Sequence, residues 1–285
     1  MPVSAPVTLT RKSLMRAGEP SRTALAAAAH RATHQVADAP LVFEDPLAMA
    51  VLGEDWRPAA DLLGRRAMRA FICARARVAE DALSAAIERG VTQYLLLGAG
   101  LDTFAWRNPH PTLRVFEADH PDTQAWKRAR LATFGAPERL TFVGVDLERE
   151  PLLPALIGAG LDPDRRLFVS WLGVTPYLES ATVMDTLETL ASLPAGVEVV
   201  FDYGPPPESL TGLLRAAYAM RAAKVAAVGE PWLSGFAPRN LIDSLAQLGF
   251  GQIEDLGPAE LNARYFEGRD DGLRVLTGRV ARART

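Results

Sequence analysis

The stretch Gln93-Tyr94-Leu95-Leu96-Leu97-Gly98-Ala99-Gly100-Leu101-Asp102-Thr103 decides how this chain is read. Gln93 to Leu97 is a nearly continuous apolar run, the pattern of a strand buried on both faces of a parallel sheet. The two glycines that follow let the backbone turn tightly and come close to a ligand. In an open α/β sheet the ligand crevice lies beyond the carboxyl ends of the strands, so this loop sits where a ligand would bind.

Downstream, the pattern strand, turn, helix repeats. Strands are expected at Leu113 to Ala118, Leu140 to Val145, Leu167 to Trp171 and Val197 to Asp202, then at Phe250 to Leu256 and Leu273 to Leu276. A helix opens at His120-Pro121-Asp122 and runs to about Phe134; others begin at Ser180 and Pro238. Upstream, Ser21 to Ala37 and Gly64 to Arg89 carry helical periodicity, and Asp45-Pro46 has the form of a cap followed by a first helical turn. The expected fold is therefore α/β: a doubly wound, mainly parallel seven-stranded sheet in one domain spanning 1–285. Residues 1–20 read as a flexible tail, 21–90 as a helical cover, 91–203 as the cofactor-binding core and 236–285 as a final helix and strands. Residues 204–235, with a helix near Leu210 to Val228, form an insertion after strand five that is long enough to be a lid.

The net charge of −3 argues against a nucleic-acid partner, which normally leaves a basic footprint. The longest apolar runs fall short of the roughly 18 residues of a membrane span. Cys73 is the one cysteine, so no intramolecular disulfide forms and a cytoplasmic setting is the expectation. It lies in the apolar run Ala70 to Ala74 and reads as a small buried hydrophobe. His30 and His34 share a helix face but lack a metalloenzyme context, so no metal site is expected.

The glycine loop discriminates between cofactors. A dinucleotide fingerprint wants a third glycine at position 103, opening a helix that receives a pyrophosphate. Thr103 stands there, and Asp102 beside it would repel phosphate. S-adenosylmethionine carries an ammonium and a sulfonium but no phosphate, so it suits an acidic loop. Phe116-Glu117-Ala118-Asp119 ends the second strand, about 20 residues after the glycines as in ribose-binding units. A carboxylate there, Asp119 above all, can accept hydrogen bonds from ribose hydroxyls; it can equally cap the next helix. Asp146, beside Leu147, is placed for an adenine amino group or is an ordinary loop aspartate.

Together these motifs resemble the leucine carboxyl methyltransferase family, in particular its bacterial branch of small-molecule O-methyltransferases. Ser21-Arg22-Thr23-Ala24, His30-Arg31-Ala32 and Phe43-Glu44-Asp45-Pro46-Leu47-Ala48 are similar to the family's opening segment. Ala74-Arg75-Ala76-Arg77 is similar to its A-R-x-R signature, and Ser170 to Leu178 to its motif after strand four. The resemblance implies a class I, Rossmann-like methyltransferase fold, with S-adenosylmethionine as cofactor. It implies that Arg75, or Arg77 if the register slips by two, pairs with the methionine carboxylate, with Arg31 assisting from the cover. The competing reading is that both arginines only solvate a helix face. The family commonly carries an acid before the glycine of the strand-four motif; here that position is Leu172.

A small-molecule acceptor is expected, and a carboxylate acceptor needs no general base whereas a hydroxyl usually does. His34 is the candidate base. Tyr177, Tyr203, Tyr218, Trp232, Phe236 and Tyr265 are candidates for the acceptor's walls, with Asn262 and with Arg264 or Arg239 as an anchor for an acidic acceptor. Two rivals remain: a nicotinamide-dependent oxidoreductase, disfavoured by Thr103, and a cofactor-binding protein without turnover, which Leu172 keeps open.

Overall fold

The computed structural model describes residues 20–53, 56–58, 65–146, 150–227 and 229–285. The expected tail therefore lies almost wholly outside the described residues, as does Leu147. Among the described residues one sheet forms from β1 (Gln93–Leu97), β2 (Arg114–Asp119), β3 (Leu140–Gly144), β4 (Leu167–Trp171), β5 (Val197–Tyr203), β6 (Gln252–Leu256) and β7 (Arg279–Arg284). The spatial order is β3-β2-β1-β4-β5-β7-β6. The first five strands run parallel, and β7 lies antiparallel between β5 and β6. The chain leaves β1 toward β2 on one side and later returns to β4 on the other, so the switch point, where ligands bind in such sheets, falls between β1 and β4.

Every residue of β1, β4 and β5 is buried, which explains why these strands are mostly apolar. The two-residue period sorts their side chains onto two faces. Leu95, Leu97, Val169 and Phe201 pack under α5 (Leu152–Gly158), α6 (Ser180–Ala191) and α8 (Pro238–Gln247), through residues such as Leu156, Leu187 and Leu245. Tyr94, Leu96, Phe168 and Val200 pack under α2 (Arg66–Glu88), α3 (Phe104–Arg107) and α9 (Pro258–Tyr265), through Val78, Leu83 and Leu261. Completing the chain, α1 (Arg22–Ala37) precedes α2, α4 (Pro121–Arg130) follows β2, and α7 (Gly212–Ala227) lies in the insertion after β5.

Three expectations are corrected. The last strand is Arg279–Arg284, not Leu273 to Leu276. Leu273 and Val275 are buried, but the backbone of Val275 pairs with the side-chain amide of Asn262, at 2.8 and 2.9 Å, in place of a neighbouring strand. The true strand intersperses three arginines among small apolar residues, and two of them find acids across the sheet: Arg279 with Asp255 and Arg282 with Glu198. No helix opens at Asp45-Pro46; a series of turns runs there because the Asp45 side chain is buried elsewhere, as described below. The helix after β2 ends at Arg130 and gives way to a short 3-10 turn at Ala132–Phe134.

The cover is fastened by buried charge. The Arg69 guanidinium on α2 grips Asp38, at the end of α1, with two hydrogen bonds of 2.6 and 2.9 Å. His34 Nδ1 lies 2.8 Å from the same carboxylate, and its Nε2 accepts the Val42 amide at 2.9 Å. His34 is thus locked as a brace, with Nδ1 the protonated nitrogen, and is not a base. Burial alone would raise the Asp38 pKa, but the bonds from His34 and Arg69 outweigh it and hold the carboxyl well below the usual range. Asp38→Asn leaves a buried guanidinium without its charge partner and is expected to cost about 3–5 kcal/mol in urea unfolding at neutral pH. Because the folded-state pKa is depressed, the wild-type advantage is full above the unfolded value of 3.8 and shrinks as pH falls below it.

Candidate active site

The strand β1 ends in a turn that only glycine accommodates. Gly98 has a φ of 66° and Gly100 of 50°, and a Cβ on Gly98 would collide with the Val174 side chain. The turn's amides are claimed by β2: Gly98 and Ala99 donate to the Ala118 carbonyl at 2.8 and 3.2 Å. Gly100 donates to the Asp119 carboxylate at 2.5 Å, and His120 donates to the same carboxylate at 2.6 Å. Gly98, Gly100, Asp102, Asp119 and Asp146 all line one cavity of about 830 Å³. Burial pushes the Asp119 pKa up, against the bonds from Gly100 and His120. One Asp102 carboxylate oxygen accepts the Phe104 amide at 2.7 Å.

Opposite this loop, Arg75 on α2 reaches the cavity and pairs with Asp202 on β5 at 2.7 Å. Its guanidinium lies against Gly173, where a Cβ would sit 2.7 Å from Nη2. The Gly173 amide donates to the other Asp202 oxygen at 2.5 Å. Sequence reasoning missed Asp202. The available signal was an acid at the carboxyl end of a central strand, beside the crevice that such sheets use. Arg77, the alternative by two residues, points away and pairs with Asp81.

The cover and the insertion close the cavity from above. Arg31 bonds Asp45 at 2.8 Å and the Leu101 carbonyl at 2.7 Å, tying α1 to the glycine loop. Glu230, at the end of the insertion, accepts the Arg22 and Thr23 amides and the Ser21 hydroxyl, all at 3.1 Å. A carboxylate at a helix N-terminus satisfies amides that have no partner inside the helix. Tyr177, Tyr203, Tyr218 and Trp232 line the cavity, with the rings of Tyr218 and Trp232 5.0 Å apart. The Tyr203 hydroxyl turns out of it, donating to Asp255.

Several nominated residues lie elsewhere. Thr103 is fully buried, donates to Asp45 and accepts from Arg107 at 2.9 Å; it supports the loop from behind. Glu117 is also fully buried, 2.6 Å from Lys127 Nζ, and burial pushes it up to about 7 against the pull of that lysine. Two residues before Asp119, Glu117 shares its face of β2 but lies back from the strand end, where Lys127 of α4 claims it. Tyr265 bonds Asp81, and Arg264 pairs with Glu254. Neither lines the cavity, and nor do Asn262, Arg239, Phe236 or His34. Cys73 is buried and its thiol is pushed up to about 12 by desolvation. Among the described residues no cluster of potential ligands could hold a metal ion, and no helix is long and apolar enough to cross a membrane. His30, on α1, does line the cavity.

The model of the leucine carboxyl methyltransferase family matches residues 24–191. The chain belongs to that family. Across its length it is 30% identical to YktD of Bacillus subtilis, named for an inferred S-adenosyl-L-methionine-dependent methyltransferase activity; the match covers 91% of this chain and 95% of that one. A relative from Mycobacteroides abscessus with the same kind of name is 35% identical over 67% of each chain. Among solved structures, a Thermobifida fusca protein named for an inferred methyltransferase activity superposes with a TM-score of 0.61, covering 98% and 99% of the two chains at 17% identity. A magnesium protoporphyrin IX methyltransferase from Synechocystis, solved with S-adenosylhomocysteine, gives a TM-score of 0.50 at 12% identity, covering 82% and 90%.

As a member of the leucine carboxyl methyltransferase family, the chain is an S-adenosylmethionine-dependent methyltransferase. The residues present fit that cofactor: a glycine cradle, carboxylates rather than cations along the loop, and a guanidinium across from them. A pyrophosphate would meet Asp102 and Asp119 instead of open helix amides. Leu172 leaves the strand-four motif without its usual acid, yet the following glycine is still held by a carboxylate, that of Asp202.

The latch between insertion and cover is testable on its own. Glu230→Ala should leave the global fold intact and speed hydrogen exchange at the Arg22 and Thr23 amides, by the loss of a cap worth about 0.5–2 kcal/mol. Unchanged exchange there would show that the contact carries no stability.

Proposed function

We propose that this enzyme methylates a carboxylate oxygen of a small organic acid. The observation that supports this most directly is the engagement of the cavity's own acids. Asp119 accepts backbone amides, Asp102 the Phe104 amide, Asp202 is paired with Arg75, and Glu230 caps α1. A carboxylate acceptor is already an anion near neutral pH and needs no proton removed; a hydroxyl acceptor needs a base.

When bound, S-adenosylmethionine supplies a methyl group on a positively charged sulfur. The acceptor oxygen forms the new C–O bond with its own electron pair as the C–S bond breaks. The sulfur keeps that bond's electrons, so a neutral ester and S-adenosylhomocysteine result and no proton moves. The protein's part is placement and exclusion of water, and such positioning lowers barriers by up to about 7–11 kcal/mol. Gly98 and Gly100 would let the backbone approach the cofactor, Asp119 would accept hydrogen bonds from its ribose hydroxyls, and Asp146 would meet its adenine. Arg75 grips its carboxylate and exchanges part of its pairing with Asp202 to do so. Tyr177 and Trp232 wall the acceptor side.

Two measurements test this reading. Arg75→Ala and Asp119→Ala should each weaken S-adenosylhomocysteine binding by about 1–3 kcal/mol in calorimetric titration, while Arg77→Ala leaves it unchanged. Wild-type affinity in both Arg75→Ala and Asp119→Ala would remove those two residues from the cofactor's contacts. In the second, the enzyme is given labelled S-adenosylmethionine with carboxylic acids and phenols. Methyl esters release methanol in alkali and methyl ethers do not. Alkali-stable product, lost in His30→Ala, would instead establish a hydroxyl acceptor with His30 as its base.

A further inference from the structure

The inward face of α7 is a stripe at helical spacing, Leu214, Tyr218, Arg221 and Val225, all lining the cavity. Three of the four are what a lid over an apolar pocket needs. Arg221 is not. It is half-buried, its Nε bonds the Ala217 carbonyl of its own helix at 3.2 Å, and its Nη1 reaches the Thr277 hydroxyl at 3.3 Å. Those bonds use two of the five N–H donors of a guanidinium. Among the described residues no acid pairs with it, and burial alone acts on its pKa, pushing it down. The other arginines that reach this cavity from the core, Arg31 and Arg75, each face a carboxylate at 2.8 and 2.7 Å. A partly desolvated cation with no counter-charge is costly, and a bound anion removes that cost.

Its partner differs from those at the cofactor end: Arg221 bonds Thr277, whereas Arg75 pairs with Asp202. Thr277 precedes Gly278, where a Cβ would collide with the Phe71 ring, and Arg75 lies over that same ring at 5.8 Å. Lys224, one turn along α7, also lines the cavity and adds to the positive potential there.

We propose that Arg221, with Thr277, is an anion-binding subsite of the lid that holds a second, non-reacting acidic group of the acceptor. The inference rests on the reading that the cavity takes small organic acids, and it narrows the class: a molecule with an apolar body and two acidic ends. One carboxylate is methylated at the cofactor end while the other sits on Arg221. Arg264 and Arg239, nominated from sequence for such an anchor, lie outside the cavity.

The test compares matched pairs, terephthalate against benzoate and suberate against octanoate, by calorimetry on the full chain saturated with S-adenosylhomocysteine. The wild-type protein should bind the dicarboxylate of at least one pair about tenfold more tightly or better, the scale of a charge-assisted hydrogen bond. Arg221→Met, which keeps the apolar stem, should erase that preference and leave the monocarboxylate and S-adenosylhomocysteine affinities unchanged; Arg221→Lys should retain part of it. Equal binding within both pairs, binding of neither, or a preference that survives Arg221→Met overturns the subsite. Methyl transfer is scored separately. An Arg221-dependent preference without turnover of any carboxylate would sink carboxylate methylation and leave the subsite standing.

Discussion

The site depends on one backbone constraint: at the end of β1 the chain must turn with a positive φ at Gly98 and again at Gly100, and the amides exposed by that turn need acceptors. The neighbouring strand supplies them. Because Leu97 is in register with Ala118, the Ala118 carbonyl meets Gly98 and Ala99, and the next residue, Asp119, presents a carboxylate to Gly100. The parallel ladder thus fixes both the loop and the acid beside it. The loop's carbonyls are pinned too, Leu101 by Arg31 from the cover and Asp102 by Lys127 from α4 at 3.0 Å. A loop held on all sides before ligand arrives loses little freedom on binding, which is how preorganisation favours affinity.

Buried charges divide into two groups by where they point. Asp45, Thr103, Arg107 and Glu80 form a chain behind the loop: Arg107 bonds Thr103 at 2.9 Å and Glu80 at 2.7 Å. Glu117 and Lys127 form a second support under β2. None of these side chains faces the cavity, yet they set the position of the Arg31, Leu101 and Asp102 atoms that do. Asp119, Asp202 and Glu230 face it, each holding a backbone amide in addition to whatever it offers a ligand. Burying a carboxylate is tolerable here because every one of these acids has a hydrogen-bond or charge partner.

How much of this the sequence discloses follows from which physical signal is local. The central strands β1 and β4 and the glycine turn announce themselves, because burial on both faces writes a largely apolar run and a positive φ demands glycine. Strand β7 hides, since its arginines are satisfied by Asp255 and Glu198, residues distant in the chain, while the apolar Leu273 to Leu276 stretch imitates a strand but is tied to Asn262. Thr103 and Glu117 fall in the right motifs but are claimed by buried partners, Thr103 by Asp45 and Arg107 and Glu117 by Lys127. Spacing along a motif fixes where the backbone goes, and only packing against residues distant in the chain fixes what a side chain meets. His34 and Asp38 show the same limit: an i, i+4 pair is visible in sequence, but its capture of Arg69 requires α2 to lie across α1. Asp202 was missed for the complementary reason, that an acid between two aromatic residues at a strand end carries no motif until Arg75 and Gly173 are brought to it.

The insertion after β5 obeys a different balance from the core. No residue of α7 is fully buried, so its inward stripe earns little from packing on protein, and its outer face leaves Leu213 and Met220 exposed. Stability of the closed position must then come from its ends and from what fills the cavity. One end is held by Glu230 on the α1 amides, a set of polar contacts at 3.1 Å that water can replace at modest cost. The other begins at Gly204-Pro205-Pro206-Pro207, a stiff exit from β5. A ligand that places apolar atoms under Leu214, Tyr218 and Val225 and a negative charge on Arg221 would add contacts that exist only when the lid is down. Binding free energy of that kind can stabilise this position of the insertion only by as much as the ligand distinguishes it from any other, and no further.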